Sequence, residues 1–173
     1  MVNKNIYLIG MMGSGKTTIG EKISKKMNMN FIDIDQKIEE IMSMSISEIF
    51  DVFGEKRFRD MEASFLIEKS KESGIVFSTG GGIILNKSIR QHLKNNGITF
   101  FLDTSIGELK KRINNNKKRP LLKYSKNIEI DLKKINDQRK NQYISSANHI
   151  LKTDHLDPDL ISNKIIKILN EKN

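Results

Sequence analysis

The chain has 173 residues, 37% of them apolar and 29% charged, with no cysteine and a formal net charge of +9. That length suits a single α/β domain (1–173) with a real core, and the apolar content is too high for a disordered chain. No apolar run approaches the ~18 residues of a membrane span, residues 1–9 lack a signal-peptide stretch, and disulfides, thiolate metal sites and thiol nucleophiles are excluded. A reducing cytoplasm is the expected compartment.

Short apolar runs of strand type alternate with longer amphipathic ones. A strand over 6–9 leads into a glycine-rich turn, then a helix over 17–27 with Ile19, Ile23 and Met27 on one face. A second strand spans 31–33, and 36–42 looks helical. The stretch 42–54 interrupts the periodicity before a helix over 55–71 that turns Phe58, Met61, Phe65 and Leu66 inward. A strand over 75–78 runs into three glycines, followed by a helix over 87–95, a strand over 99–102 and a helix over 105–114. Residues 114–127, with three consecutive Asn and few apolar side chains, read as a mobile surface loop. A helix over 129–146 and a strand over 149–151 precede the last helix. That helix has Asp157 as N-cap, Pro158 at its first position and a core face of Leu160 or Ile161, Ile165, Ile168 and Leu169. Such alternation with right-handed crossovers predicts a three-layer α/β sandwich around a five-stranded parallel sheet.

The charge excess is local. Eight basic residues and no acidic one fall between 110 and 126, so the rest of the chain nets +1. Lys outnumbers Arg 24 to 6, a bias that an AT-rich genome produces without selection for binding. A polyanion partner is one reading of the basic run, but Tyr124 is its sole aromatic residue and offers little base stacking.

The sharpest signal is Gly10-Met11-Met12-Gly13-Ser14-Gly15-Lys16-Thr17, which fits the phosphate-loop pattern between a strand and a helix, with Thr18 extending it. The glycines let successive N–H groups turn inward on phosphate oxygens, and the helix N-terminus adds donors and a positive dipole end. Lys16 reaches the β- and γ-phosphates, and the Thr17 hydroxyl suits Mg²⁺. Met11 and Met12 fill the variable positions.

Three further groups carry chemistry. Asp33 and Asp35 stand at the end of the second strand, where the ligand crevice of an open α/β sheet lies. Asp33 can orient Mg²⁺ through its water shell, while Asp35 can take a hydroxyl proton or cap the following helix. Gly80, Gly81 and Gly82 expose backbone N–H groups to a small ligand, unless they are simply a flexible turn. Among the six arginines, Arg59 is three residues from Glu62, an ion-pair spacing on a helix. Arg119 lies in the basic run and Arg139 in the helix over 129–146, while Arg57 and Arg90 read as surface charges. His92, His149 and His155 have no metal-ligand spacing.

In order along the chain, GMMGSGKTT (10–18), DID (33–35), GEKRFRDME (54–62), STGGG (78–82), RPLL (119–122) and the pair Arg139 and Tyr143 resemble the shikimate kinase family, small P-loop enzymes of the nucleoside-monophosphate-kinase fold. The resemblance implies ATP-dependent phosphorylation of the 3-hydroxyl of shikimate, on the way to chorismate and the aromatic amino acids. It implies Asp35 as the base and ring-hydroxyl contact, and Gly81 and Gly82 as backbone contacts. It further implies Arg59 and Arg139 as the carboxylate grip, and Phe50 and Phe58 as pocket wall. On the nucleotide side it implies Gly13, Ser14, Gly15, Lys16, Thr17 and Thr18 around the phosphates, Arg112 and Pro158 around adenine, and Thr17 and Asp33 at Mg²⁺. Arg119 would act on the transferring phosphoryl group from a lid over about 112–126, with about 33–62 as the substrate-binding segment. Ser78 stands where many P-loop proteins carry an Asp, so Asp33 would serve the metal instead. The partners implied are ATP and shikimate, with no nucleic acid and no membrane, and the chain is expected to be a monomer. The competing readings are a related kinase acting on gluconate or a nucleoside monophosphate, and an RNA-binding P-loop protein.

Overall fold

Burial along β1 (Asn5–Ile9) sets the architecture: all five residues are buried, and alternate side chains enter two different cores. Tyr7 and Ile9 join Phe77 and Phe101 on one face of the sheet, while Ile6 and Leu8 join Val76, Phe100 and Leu102 on the other. A strand covered on both faces is what its unbroken apolar run predicts. The computed structural model describes residues 4–113 and 120–171.

Five parallel strands, β1, β2 (Asn30–Asp33), β3 (Ile75–Ser78), β4 (Gly97–Asp103) and β5 (His149–Lys152), lie in the order β2-β3-β1-β4-β5. The chain winds to one side of β1 and then to the other, so the carboxyl end of β1 is the switch point where open α/β sheets hold ligands. The edge strands β2 and β5 are only partly buried.

One outer layer is α1 (Lys16–Met27) with α7 (Pro158–Asn170), which press Ile19, Ile23, Ile161, Ile165 and Leu169 onto the sheet. α7 starts as its sequence requires, with the Asp157 side chain accepting from Asp159 N and Pro158 at the first turn. Of the alternative core residues at its start, Ile161 is buried and Leu160 is 53% exposed. The other layer contains α2 (Ile34–Met42), α3 (Ile46–Lys69), α4 (Lys87–Asn95), α5 (Ile106–Ile113) and α6 (Ile128–Ser146). This is the expected three-layer sandwich.

The expected interruption over 42–54 is instead mostly helical. Its reason was written in the chain: Ser45 accepts from Glu48 N at 3.3 Å while Glu48 accepts from Ser45 N at 2.7 Å, a reciprocal cap that starts α3 nine residues early. α3 then bends at Gly54, whose φ of 79° and ψ of 160° belong to a region that only glycine occupies readily. The bend aims Phe50 from the first half and Phe58 and Arg59 from the second at one place, with the two rings 5.2 Å apart.

Candidate active site

The glycine-rich turn joins β1 to α1 as its sequence predicts, with Gly15 at a left-handed φ of 93° as the N-cap of α1. Lys16 folds back across the turn, its Nζ donating to Gly10 O at 3.0 Å and Met11 O at 2.9 Å. The Ser14 hydroxyl is buried and has no partner among the described residues. An orphaned buried hydroxyl in a glycine-rich turn at a helix N-terminus fits a phosphate oxygen. Gly13, Gly15, Lys16, Thr17 and Thr18 line a cavity of about 350 Å³, and Arg112 lines it from the end of α5.

Thr17 Oγ1 donates to Asp33 Oδ2 at 2.6 Å and lies 3.3 Å from the Ser78 hydroxyl. Two hydroxyls beside one carboxylate are hard oxygen donors too few to strip a cation of its waters. That donor set fits Mg²⁺, which keeps much of its hydration shell. The other oxygen of Asp33 accepts from Gln36 N at 3.3 Å, so Asp33 caps α2. The capping alternative weighed for Asp35 therefore falls to its neighbour, because α2 begins at Ile34 and places Asp35 inside the first turn.

A second, narrower cavity adjoins the first. Asp35, Met12 and Gly81 line both, and Phe50, Phe58, Arg59, Gly82 and Arg139 complete the second with Pro120 and Leu121. Met12 is thus more than filler in the turn, since it forms part of the wall between the two spaces. Arg139 is 5% exposed, and its Nε has no partner among the described residues. The guanidinium of Arg59 lies over the rings of Phe58 and Phe50, at 5.2 and 5.7 Å from their centroids. Its Nη1 donates to Glu62 at 2.6 Å, the ion pair that the three-residue spacing suggests, and its Nε and Nη2 donate to Glu55 at 3.2 and 2.8 Å.

Glu62 is fully buried. Burial pushes its carboxyl up to about 8; Arg59 pulls it down, and the neighbouring Asp35 raises it further. Burial alone would lower Arg59, but the charges and hydrogen bonds of Glu62 and Glu55 outweigh it and hold the guanidinium above its ordinary value.

The three glycines are explained by what presses on them. A Cβ on Gly80 would overlap the Glu62 carboxyl and come within 2.6 Å of Asp35 Oδ1, and one on Gly82 would collide with the Arg59 guanidinium. Behind the turn, the buried hydroxyl of Tyr143 donates to Gly81 O, and its ring stacks on Phe101 at 4.9 Å. Burial pushes the Tyr143 hydroxyl up to about 12, so it is a donor at any physiological pH. Tyr143 stood in the sequence as the last residue of a motif, and the structure gives it the task of fixing the glycine turn.

On the nucleotide side, Arg112 Nη2 donates to Thr153 O at 3.1 Å and pairs with Glu108 at 3.6 Å. Pro158 opens α7 and is outside the lining of both cavities. Arg119 and the first part of the expected loop, 114–119, lie outside the described residues; just after them, Pro120–Leu122 forms a 3-10 turn.

The shikimate kinase family model matches residues 12–170. A shikimate kinase of Vibrio parahaemolyticus is 38% identical over 169 residues, covering 98% of each chain. The structure of a shikimate kinase from Acinetobacter baumannii in complex with shikimate aligns with a TM-score of 0.95 at 32% identity, over 99% of this chain and 95% of that one. A gluconokinase from Sinorhizobium meliloti shares only the fold, with a TM-score of 0.61 at 15% identity over 98% of this chain and 93% of its own. The phosphate loop, the paired arginines and the glycine turn thus occur in a chain that matches these proteins almost from end to end, and this chain belongs to the shikimate kinase family.

Proposed function

We propose that this protein transfers the γ-phosphoryl group of ATP to the 3-hydroxyl of shikimate. The observation that carries the reading is the shared border of the two cavities. Asp35 lines both, with the phosphate loop on one side and Arg59 and Arg139 on the other. A ring carboxylate held by the two guanidinium groups directs its hydroxyls toward Asp35. Paired planar forks suit a carboxylate better than lysines would.

Phosphoryl transfer has a loose transition state with charge spread over oxygens, so positioning and electrostatics supply most of the catalysis. Lys16 and the N–H groups of the loop hold the phosphates, and Arg119 adds its charge to the transferring group from a lid over about 112–126. Asp35 accepts the proton of the attacking hydroxyl. Thr17 and Asp33, with Ser78 beside them, would hold Mg²⁺, which neutralises phosphate charge when bound. Segment 33–62 binds the acceptor, and Arg112 flanks adenine with Pro158. The protein acts as a monomer in this reading, and the lack of cysteine suits the cytoplasm.

An assay of ADP release with shikimate, gluconate and AMP as alternative acceptors tests the reading. Turnover with shikimate and MgATP is expected. No turnover with shikimate, or faster turnover with gluconate or AMP, overturns it.

A further inference from the structure

Glu55 stands directly after the bend of α3, at the first position of its second half, and four residues before Arg59. One of its carboxylate oxygens accepts from both Nε and Nη2 of Arg59. Those two parallel N–H groups form the edge of a guanidinium that best receives a carboxylate. Glu62 takes Nη1 from the other side. The two neighbours differ sharply, since the Glu62 side chain is 0% exposed and the Glu55 side chain 41%. Glu62 is locked in place, and Glu55 has somewhere to go. A further open cavity also borders Arg59 and Arg139. It is lined by Glu55, by Asp131 and by Lys134, a cation to which a released Glu55 can turn.

We infer that Glu55 is a displaceable internal competitor for the substrate carboxylate, occupying the receiving edge of Arg59 in the empty site and ceding it on binding. The inference rests on the shikimate kinase reading and deepens it. Charge accounts for the device. An empty cavity holding Arg59 and Arg139 together would attract any small anion, whereas Glu55 masks one of the two charges. A ligand must bring its own carboxylate together with enough other contacts to displace Glu55. Glu55 thereby sets affinity and selectivity without touching the reacting atoms.

Glu55→Gln tests this, because the amide keeps the length and an accepting oxygen but not the charge. The expected result is a shikimate KM lowered about threefold to tenfold, the scale of one partly exposed ion pair. The turnover number and the KM for ATP should change less than about twofold by the same argument. Cyclohexanecarboxylate, a ring acid without hydroxyls, should bind more tightly to the variant in calorimetry. A simple helical ion pair would instead lower the melting temperature and leave the shikimate KM unchanged or raised, and that result overturns the inference. Glu55→Asp, too short to span the same distance, gives a second variant in which the same fall in KM is expected. If the unmodified enzyme fails to phosphorylate shikimate, the functional reading fails first. The calorimetric comparison of cyclohexanecarboxylate then still decides whether Glu55 masks Arg59.

Discussion

Replacing Gly82 with alanine adds one carbon to a backbone that tolerates it: φ is −98° and ψ −5°, so any L-residue can adopt that conformation. The cost is therefore steric and falls on one partner. The new Cβ would lie 2.5 Å from Arg59 Nη2 and 2.7 Å from Nε, against 3.4–4 Å for ordinary contact. The guanidinium must retreat by about 1 Å, a displacement that overpacked sites resist at about 1–3 kcal/mol. It cannot retreat freely, because the buried Glu62 holds its Nη1. A shift of that size breaks at least one charge-assisted hydrogen bond to the substrate carboxylate, worth about 1.5–3 kcal/mol. The expected outcome is a shikimate KM raised about tenfold to a hundredfold, with the ATP KM little changed and the melting temperature lower by about 2–4 °C for each kcal/mol of steric cost. Initial-rate kinetics with each substrate varied, together with a thermal melt, measure all three. A shikimate KM within about twofold of the unmodified enzyme would refute the claim that Gly82 is glycine for the sake of Arg59.

The buried Glu62 carboxyl, pushed up to about 8 from an ordinary 4.5, gives a stability that depends on pH with a definite sign. The folded chain keeps a proton that the unfolded chain loses. The stabilisation is therefore complete below about 4.5 and fades as pH rises through about 8, at up to ~1.4 kcal/mol per pH unit. Melting temperatures from about pH 5 to about pH 9 should fall more steeply for the unmodified protein than for Glu62→Gln, and equal slopes would disprove the assignment. Tyr143→Phe strands the Gly81 carbonyl and should cost about 1–3 kcal/mol, read as a melting temperature lower by about 2–4 °C per kcal/mol. An unchanged melt would mean that another donor reaches that carbonyl. Arg119→Ala should lower the turnover number far more than shikimate affinity, while Arg59→Ala should mainly weaken shikimate binding. Equal losses of shikimate affinity in both would remove that division of labour.

Much of this was legible because local rules and tertiary structure agree. The strand-to-helix turn at 10–17, the five apolar runs and the Asp157-Pro158 helix start each have one physical reading, and the structure has them all. The first half of α3 lies outside the helices expected from the sequence although Ser45 and Glu48 have capping-box spacing, because the apolar spacing over 42–54 is irregular. The residues that line the two cavities were more legible than those that hold them in place. Arg59 was singled out for its side chain, and Glu62 for its spacing. The importance of Glu55 arises from which edge of the guanidinium it takes, and that is decided by the bend at Gly54. Gly80 and Gly82 read in the sequence as backbone donors to a small ligand or as a flexible turn, whereas in the structure their lack of side chains makes room for two carboxyl groups and a guanidinium brought from elsewhere in the chain.

The same distinction between a residue and its neighbours bears on how the basic run should be understood. A stretch of eight cations would attract a polyanion if its charges faced water alone. Lys110 pairs with Glu129 at 2.9 Å, Lys111 with Glu108 at 2.9 Å and Lys123 with Asp51 at 2.8 Å, while Arg112 faces the phosphate-loop cavity. Each of those lysine pairs is exposed and contributes little to stability alone. Their effect is on the field: three carboxylates offset three of the eight cations in the stretch. They also tie the ends of the stretch to fixed elements, Lys110 to the start of α6 and Lys123 to the first half of α3. If the stretch over about 112–126 acts as the proposed lid, its remaining charge suits a short, dense anion such as the triphosphate of ATP. High salt should therefore weaken RNA retention, if any occurs, far more steeply than it raises the KM for ATP. Parallel salt dependences would return the basic run to the polyanion reading.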